Sequence, residues 1–117
     1  MLTFLQYPKC GTCRKAKQFL DNQGISYDNR HIVEETPTVE ELKKWISVSE
    51  LPIQKFFNTS GQVYRQLELS KRLPNMTDQE KIDLLASNGM LIKRPILTDG
   101  EKISVGFKEE EWKEKWT

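Results

Sequence analysis

A chain of 117 residues, 37% hydrophobic and 30% charged, has the length and composition of one folded domain around a single core. Its formal net charge of +1 gives no basic footprint for direct nucleic-acid binding, and no apolar run nears the ~18 residues that a membrane span requires. Two cysteines and one histidine are too few for a closed four-ligand zinc site, so neither a metal nor any other cofactor is expected.

The first residues, Met1 to Pro8, carry no basic stretch followed by a long apolar core, so they do not read as a secretory signal. The expected compartment is the cytoplasm, which is reducing. There a cysteine pair more often serves catalysis or redox sensing than structural stapling. Leu2-Thr3-Phe4-Leu5-Gln6-Tyr7 is a short apolar and aromatic run closed by Pro8, the pattern of a buried strand. Cys13, Ala16, Phe19 and Leu20 then recur at helical spacing, and Asn22-Gln23-Gly24 supplies the stop. Ile25 to Val33 alternates through Tyr27, Asn29 and His31 as a second strand; His31, the lone histidine, reads as exposed and inert there. Strand, helix and strand within about thirty residues make a βαβ unit with parallel strands.

Residues 37–89 read as a helical insert. Thr38-Val39-Glu40-Glu41 is a capping box opening a helix with Val39, Leu42 and Ile46 on one face. Pro52 suits the first turn of a short helix carrying Ile53, Phe56 and Phe57, ended by Thr59-Ser60-Gly61, and Val63 to Leu69 adds a further helical turn or two. Thr77-Asp78-Gln79-Glu80 is a second capping box, followed by Ile82 and Leu85 and stopped at Asn88-Gly89. Beyond the insert, Ile96-Leu97-Thr98 and Ile103-Ser104-Val105 flank the turn signal Asp99-Gly100 as an antiparallel hairpin. Glu109-Glu110-Glu111 then charges the first turn of a closing helix that packs Trp112 and Trp116.

Both cysteines lie in Cys10-Gly11-Thr12-Cys13, where the first strand gives way to its helix. Thiols at i and i+3 on a first helical turn share a side and can close a disulfide. The N-terminal one lies among unpaired N–H groups at the positive end of the helix dipole, which favours a thiolate, the nucleophile of thiol–disulfide chemistry. Lys9, Arg14 and Lys15 form a small basic cluster around it. No Asp or Glu pair is placed for acid–base work.

A βαβ unit with Cys-x-x-Cys at its helix start, followed by a proline leading into a ββα unit, resembles the thioredoxin fold. The segments Tyr7-Pro8-Lys9-Cys10-Gly11-Thr12-Cys13-Arg14-Lys15-Ala16, Leu91-Ile92-Lys93-Arg94-Pro95-Ile96 and Val105-Gly106-Phe107 resemble the arsenate-reductase-like (ArsC/Spx) family, and the likeness runs over nearly the whole chain. The resemblance implies an α/β thioredoxin-like fold with a four-stranded mixed sheet in order 2-1-3-4 and an all-helical insert. It implies that Cys10 attacks, helped by Lys9 and Arg14, and that Cys13 resolves the resulting adduct. Arg94 would hold the thiolate or an oxyanion, next to a cis Arg94–Pro95 bond, with Gly11, Thr12 and Pro95 lining the site. Of the three arginines of the arsenate-reducing branch only Arg94 is kept; the other two positions fall on Asn58 and around Gly106-Phe107. The Spx-type regulators dock on the RNA polymerase α subunit through a surface that includes a glycine, and here Pro52 stands at that position.

The expected function is therefore a monomeric thiol–disulfide oxidoreductase cycling Cys10 and Cys13. Its partner would be a cellular thiol reductant, the glutathione/glutaredoxin or the thioredoxin system. The alternatives are a redox-sensing transcriptional regulator on RNA polymerase and a glutaredoxin-coupled arsenate reductase.

Overall fold

The computed structural model describes all residues, Met1–Thr117. In chain order the elements are β1 (Thr3–Gln6), α1 (Gly11–Asn22), β2 (Asp28–His31), α2 (Val39–Ser49), α3 (Gln62–Gln66), α4 (Leu69–Arg72), α5 (Asp78–Ser87), β3 (Ile96–Thr98), β4 (Ile103–Val105) and α6 (Glu109–Trp116). Single 3-10 turns lie at Ile53–Phe56, Leu73–Asn75 and Gly89–Leu91. The chain divides into two compact units, one of Met1–His31 with Arg94–Thr117 and one of Ile32–Lys93.

The first unit holds one four-stranded sheet in the order β2-β1-β3-β4. β1 runs parallel to β2 and antiparallel to β3, and β3 and β4 form the antiparallel hairpin. This is the expected thioredoxin-like α/β topology. Register puts Phe4 opposite Leu97, and both are fully buried in one cluster with Ala16, Phe19 and Leu20 of α1 and Trp112 of α6. Trp112 meets Phe4, Phe19 and Phe107 edge-on at 6.5, 6.2 and 4.9 Å between ring centroids, an arrangement in which aromatic pairs add to simple burial. Alternation within β1 is what sends Phe4 to this face and Leu5 to the other.

The second strand is shorter than the expected run from Ile25 to Val33. Gly24 takes a left-handed φ of 69° and the Ile25 N–H donates to Leu20 O at 3.0 Å, so these residues close α1 rather than extend a strand. The ladder begins where the Asp28 N–H reaches Leu2 O at 2.7 Å. Ile25 and Tyr27 still pack against the core cluster.

The second unit is built of helices and turns. Both capping boxes form as expected: Thr38 and Thr77 hydroxyls accept from the N–H groups of Glu41 and Glu80, whose carboxylates accept from the threonine N–H groups. The buried stripe of α2 is Leu42 with Trp45, while Val39 and Ile46 lie half-buried beside it. The turn after Pro52 is 3-10 rather than α, with Pro52 just ahead of it, and it ends at Phe57 rather than at Gly61. The stretch from Val63 to Leu69 is interrupted at Glu68, whose φ of 53° separates α3 from α4. Phe56 and Phe57 are buried as expected of insert core. No helix is long and apolar enough to cross a membrane.

Candidate redox site

Pro8 and Lys9 carry the chain from β1 into a turn, closed by the Cys10 N–H donating to Tyr7 O at 2.9 Å. Cys10 then stands outside the helix as its N-cap, with extended backbone angles of −89° and 120°. Its sulfur takes the place that a serine or aspartate oxygen occupies in most caps, accepting the Cys13 N–H at 3.4 Å. Cys10 is thus not on the first helical turn, as the spacing alone implied, but curls back over it. Its carbonyl still accepts the Arg14 N–H, the first bond of the helical ladder.

The two thiols have opposite environments. Cys10 is half-buried, and Cys13, on the core-facing stripe, is only 1% exposed. Partial burial pulls the Cys10 pKa upward. Hydrogen bonds from the Cys13 thiol and N–H, together with the charge and a hydrogen bond of Arg94, outweigh it and hold Cys10 below the ordinary thiol range. Burial pushes Cys13 up to about 12; the Cys10 sulfur, by accepting the Cys13 thiol proton and by its charge, adds to that, while a backbone hydrogen bond from Tyr7 and the Arg94 charge partly oppose it. The pair therefore loses its first proton readily and its second with difficulty. Both thiols are free in this structure.

Arg94 reaches the site from the start of the second half of the first unit, immediately before β3. The Arg94–Pro95 bond is cis, as the resemblance implied. Pro95 is buried, and its carbonyl accepts the Gly106 N–H at 2.8 Å. Gly106 has φ 81°, a backbone that favours glycine, and its own carbonyl accepts the Trp112 indole N–H at 3.2 Å. The Val105-Gly106-Phe107 segment thus ties the arginine loop to the aromatic core.

The structure brings Cys10, Cys13 and Arg94 together in this way, with Pro95 buried directly after the arginine and Lys9, Gly11, Thr12 and Arg14 all exposed. Gly11 has open space where a Cβ would stand. The groups acting most strongly on Cys10 are Cys13 and Arg94. A cavity of about 340 Å³ lies further along α1, lined by Lys15, Phe19, Phe107 and Glu109 among others, and includes none of these site residues. No cluster of three or more His, Cys, Asp or Glu side chains is placed to hold a metal.

Two residues near the site escaped sequence reasoning. The Tyr7 ring lies against the Arg94 guanidinium, with 5.3 Å from Cζ to the ring centroid. His31 is half-buried rather than exposed, and its ring meets Tyr7 edge-on at 5.6 Å and 87°. The signals for the first are its place directly before the Pro8 turn and at the head of the family-like segment Tyr7 to Ala16, though neither implies the contact with Arg94, and nothing marks the second.

Comparison with known proteins gives a match to the ArsC family over residues 5–115. The uncharacterised protein YusI of Bacillus subtilis is 55% identical over 98% of this chain and 98% of its own length. The regulatory protein MgsR of the same organism is 39% identical over 91% of this chain and 82% of its own length. A crystal structure described as that of a protein related to the ArsC family, from Bacteroides fragilis, superposes with a TM-score of 0.93 at 57% identity, covering 97% of this chain and 95% of the other.

Proposed function

The chain belongs to the ArsC family, and from that premise we propose that it is a thiol–disulfide oxidoreductase in which Cys10 attacks and Cys13 resolves. The observation that carries this reading is the sulfur of Cys10 capping α1, accepting the Cys13 N–H at 3.4 Å under the charge of Arg94. A helix N-cap and a neighbouring cation are the two settings that most effectively stabilise a thiolate.

The Cys10 thiolate attacks one sulfur of a substrate disulfide, forming a mixed disulfide and releasing the other substrate sulfur as a thiolate. Cys13 gives up its proton to solvent or to that leaving sulfur, then attacks Cys10 Sγ. The Cys10–Cys13 disulfide forms and the second substrate thiol leaves, so two electrons have passed to the substrate. A cellular dithiol, or two equivalents of a small thiol, returns them by the same exchange in reverse. Arg94 steadies the thiolate before attack, and again when Cys10 is the leaving sulfur.

Alkylation of the reduced protein by iodoacetamide as a function of pH tests the reading. Cys10 should be the modified residue, with an inflection well below that of a free thiol. An inflection at the free-thiol value, or a label on Cys13 first, would rule the mechanism out.

The second reading is a redox-switched binding module, favoured by the likeness to the regulatory protein MgsR. Here the same disulfide would bias docking to a macromolecular partner, RNA polymerase being the one that the family resemblance implies. Capture of polymerase by the reduced and oxidised protein distinguishes the two, since a plain oxidoreductase binds it in neither state. Arsenate reduction ranks below both, because several charge-assisted contacts are needed to hold such a dianion, and Arg94 alone remains of the three arginines.

A further inference from the structure

Cys10 owes its environment partly to Arg94, and a guanidinium on a long side chain reaches a sulfur in many geometries. What restricts Arg94 is therefore a question about the site itself. The residue sits at the head of β3, 87 positions from Tyr7 in sequence, yet its guanidinium carbon lies 5.3 Å from the centre of the Tyr7 ring. That ring is held in turn. Tyr7 follows directly on β1, its carbonyl accepts the Cys10 N–H, and its ring packs edge-on against His31 at the end of β2. His31 is the register partner of Gln6, so the parallel pairing of β1 with β2 sets the wall on which the Tyr7 ring rests.

Resting on the thiol–disulfide reading above, we infer that Tyr7 is a positioning residue: its ring face takes up one side of the Arg94 guanidinium and leaves the N–H edge directed at Cys10. A planar guanidinium stacks through its face and donates hydrogen bonds through its edge, so the two contacts do not compete. Tyr7 thus links the turn that presents the nucleophile to the arginine that steadies it. The tyrosine hydroxyl plays no part; the π face does the work.

The test is the pH profile of Cys10 alkylation in wild type, Tyr7→Phe, Tyr7→Leu and Tyr7→Met, each compared only after its far-ultraviolet circular dichroism matches wild type. Tyr7→Phe keeps the face and should retain the wild-type profile. Tyr7→Leu and Tyr7→Met should move the inflection upward and slow alkylation at pH 6 by about threefold, the size of a modest cation–π contact. In an Arg94→Met background, Tyr7→Leu should change nothing further. The Arg94 side-chain protons should also show an upfield ring-current shift in the wild-type protein that Tyr7→Phe preserves.

A depressed wild-type inflection that Tyr7→Leu leaves in place would overturn the inference while sparing the oxidoreductase reading. So would an equal effect of Tyr7→Leu with and without Arg94, or unshifted Arg94 protons. An undepressed wild-type inflection would remove both together.

Discussion

The resolving step is where this site should be slow, and the delay should be measurable. Cys13 is 1% exposed and its pKa is pushed up to about 12. At pH 7 that leaves the Cys13 thiolate a very small minority. Once Cys10 is in a mixed disulfide it carries no charge and accepts the Cys13 proton less strongly, which lowers Cys13 somewhat. Burial, the largest cause of the elevation, is unchanged, so the resolving thiol stays well above neutral. The reduced protein can be mixed with an aromatic disulfide that liberates one coloured nitrothiophenolate per exchange. The first equivalent should appear in a fast phase as Cys10 attacks, and the second in a slow phase as Cys13 displaces the adduct. Between pH 6 and 9 the slow phase should accelerate about tenfold per pH unit, tracking the Cys13 thiolate population, while the fast phase levels off once Cys10 is ionised. Cys13→Ser should release the first equivalent only. A second phase independent of pH over that range, or one equivalent released by wild type, would refute the reasoning.

Trp112→Ala should cost about 3–5 kcal/mol in urea unfolding, since this ring is 1% exposed and its N–H also holds the Gly106 carbonyl; a loss below about 1 kcal/mol would mean the cluster repacks freely. Gly89→Ala should be strongly destabilising, because its Cβ would stand 2.1 Å from Ile32 O, a backbone atom, whereas Gly11→Ala meets nothing within 4 Å and should melt like wild type. Thr77 holds the Glu80 carboxyl below its ordinary 4.5 through a backbone hydrogen bond and its hydroxyl. A carboxylate lowered on folding stabilises above its unfolded pKa and ceases to do so as pH falls through the folded one. Glu80→Gln should therefore lower stability at neutral pH, where the carboxylate's contribution is fully present, and flatten the acid limb below about pH 4.5, so that the two proteins converge as pH falls.

Local patterns carried most of the architecture. The apolar run before Pro8, the 3-4 spacing of Cys13, Ala16, Phe19 and Leu20, and the Asp99-Gly100 turn are contained within a few residues each and mark the elements, whereas the strand order 2-1-3-4 is what the family resemblance implies. Both capping boxes are likewise local and both form. The errors arise where a local pattern meets a backbone choice it does not specify. Ile25 and Tyr27 alternate like strand residues, but Gly24 at φ 69° turns them into the end of α1 before the ladder with Leu2 can start. On α2, Val39, Leu42 and Ile46 form an obvious apolar row, yet Trp45, one position from that row, is the residue buried with Leu42. Least legible is the Tyr7, His31 and Arg94 group. Its members come from three separate segments, and only the sheet register makes His31 a neighbour of the turn after β1.

The difference between the two thiols follows from a single change in backbone conformation. At Cys10 the chain is extended, and from Gly11 onward it is helical. A residue at the extended position can curl its side chain over the free N–H groups of the first turn; a residue three places later has its Cβ committed to the helix surface, here the face that meets the sheet core. Identical sulfur chemistry is thereby split into one atom surrounded by donors and one surrounded by hydrocarbon, 3.4 Å of hydrogen bond connecting the first to the backbone of the second. Moving the helix start by one residue in either direction would break this: Cys10 would become an ordinary helical residue, or a loop residue with no N–H to accept. The Tyr7 carbonyl, by accepting the Cys10 N–H and closing the turn ahead of the cap, is what holds the helix start in that phase.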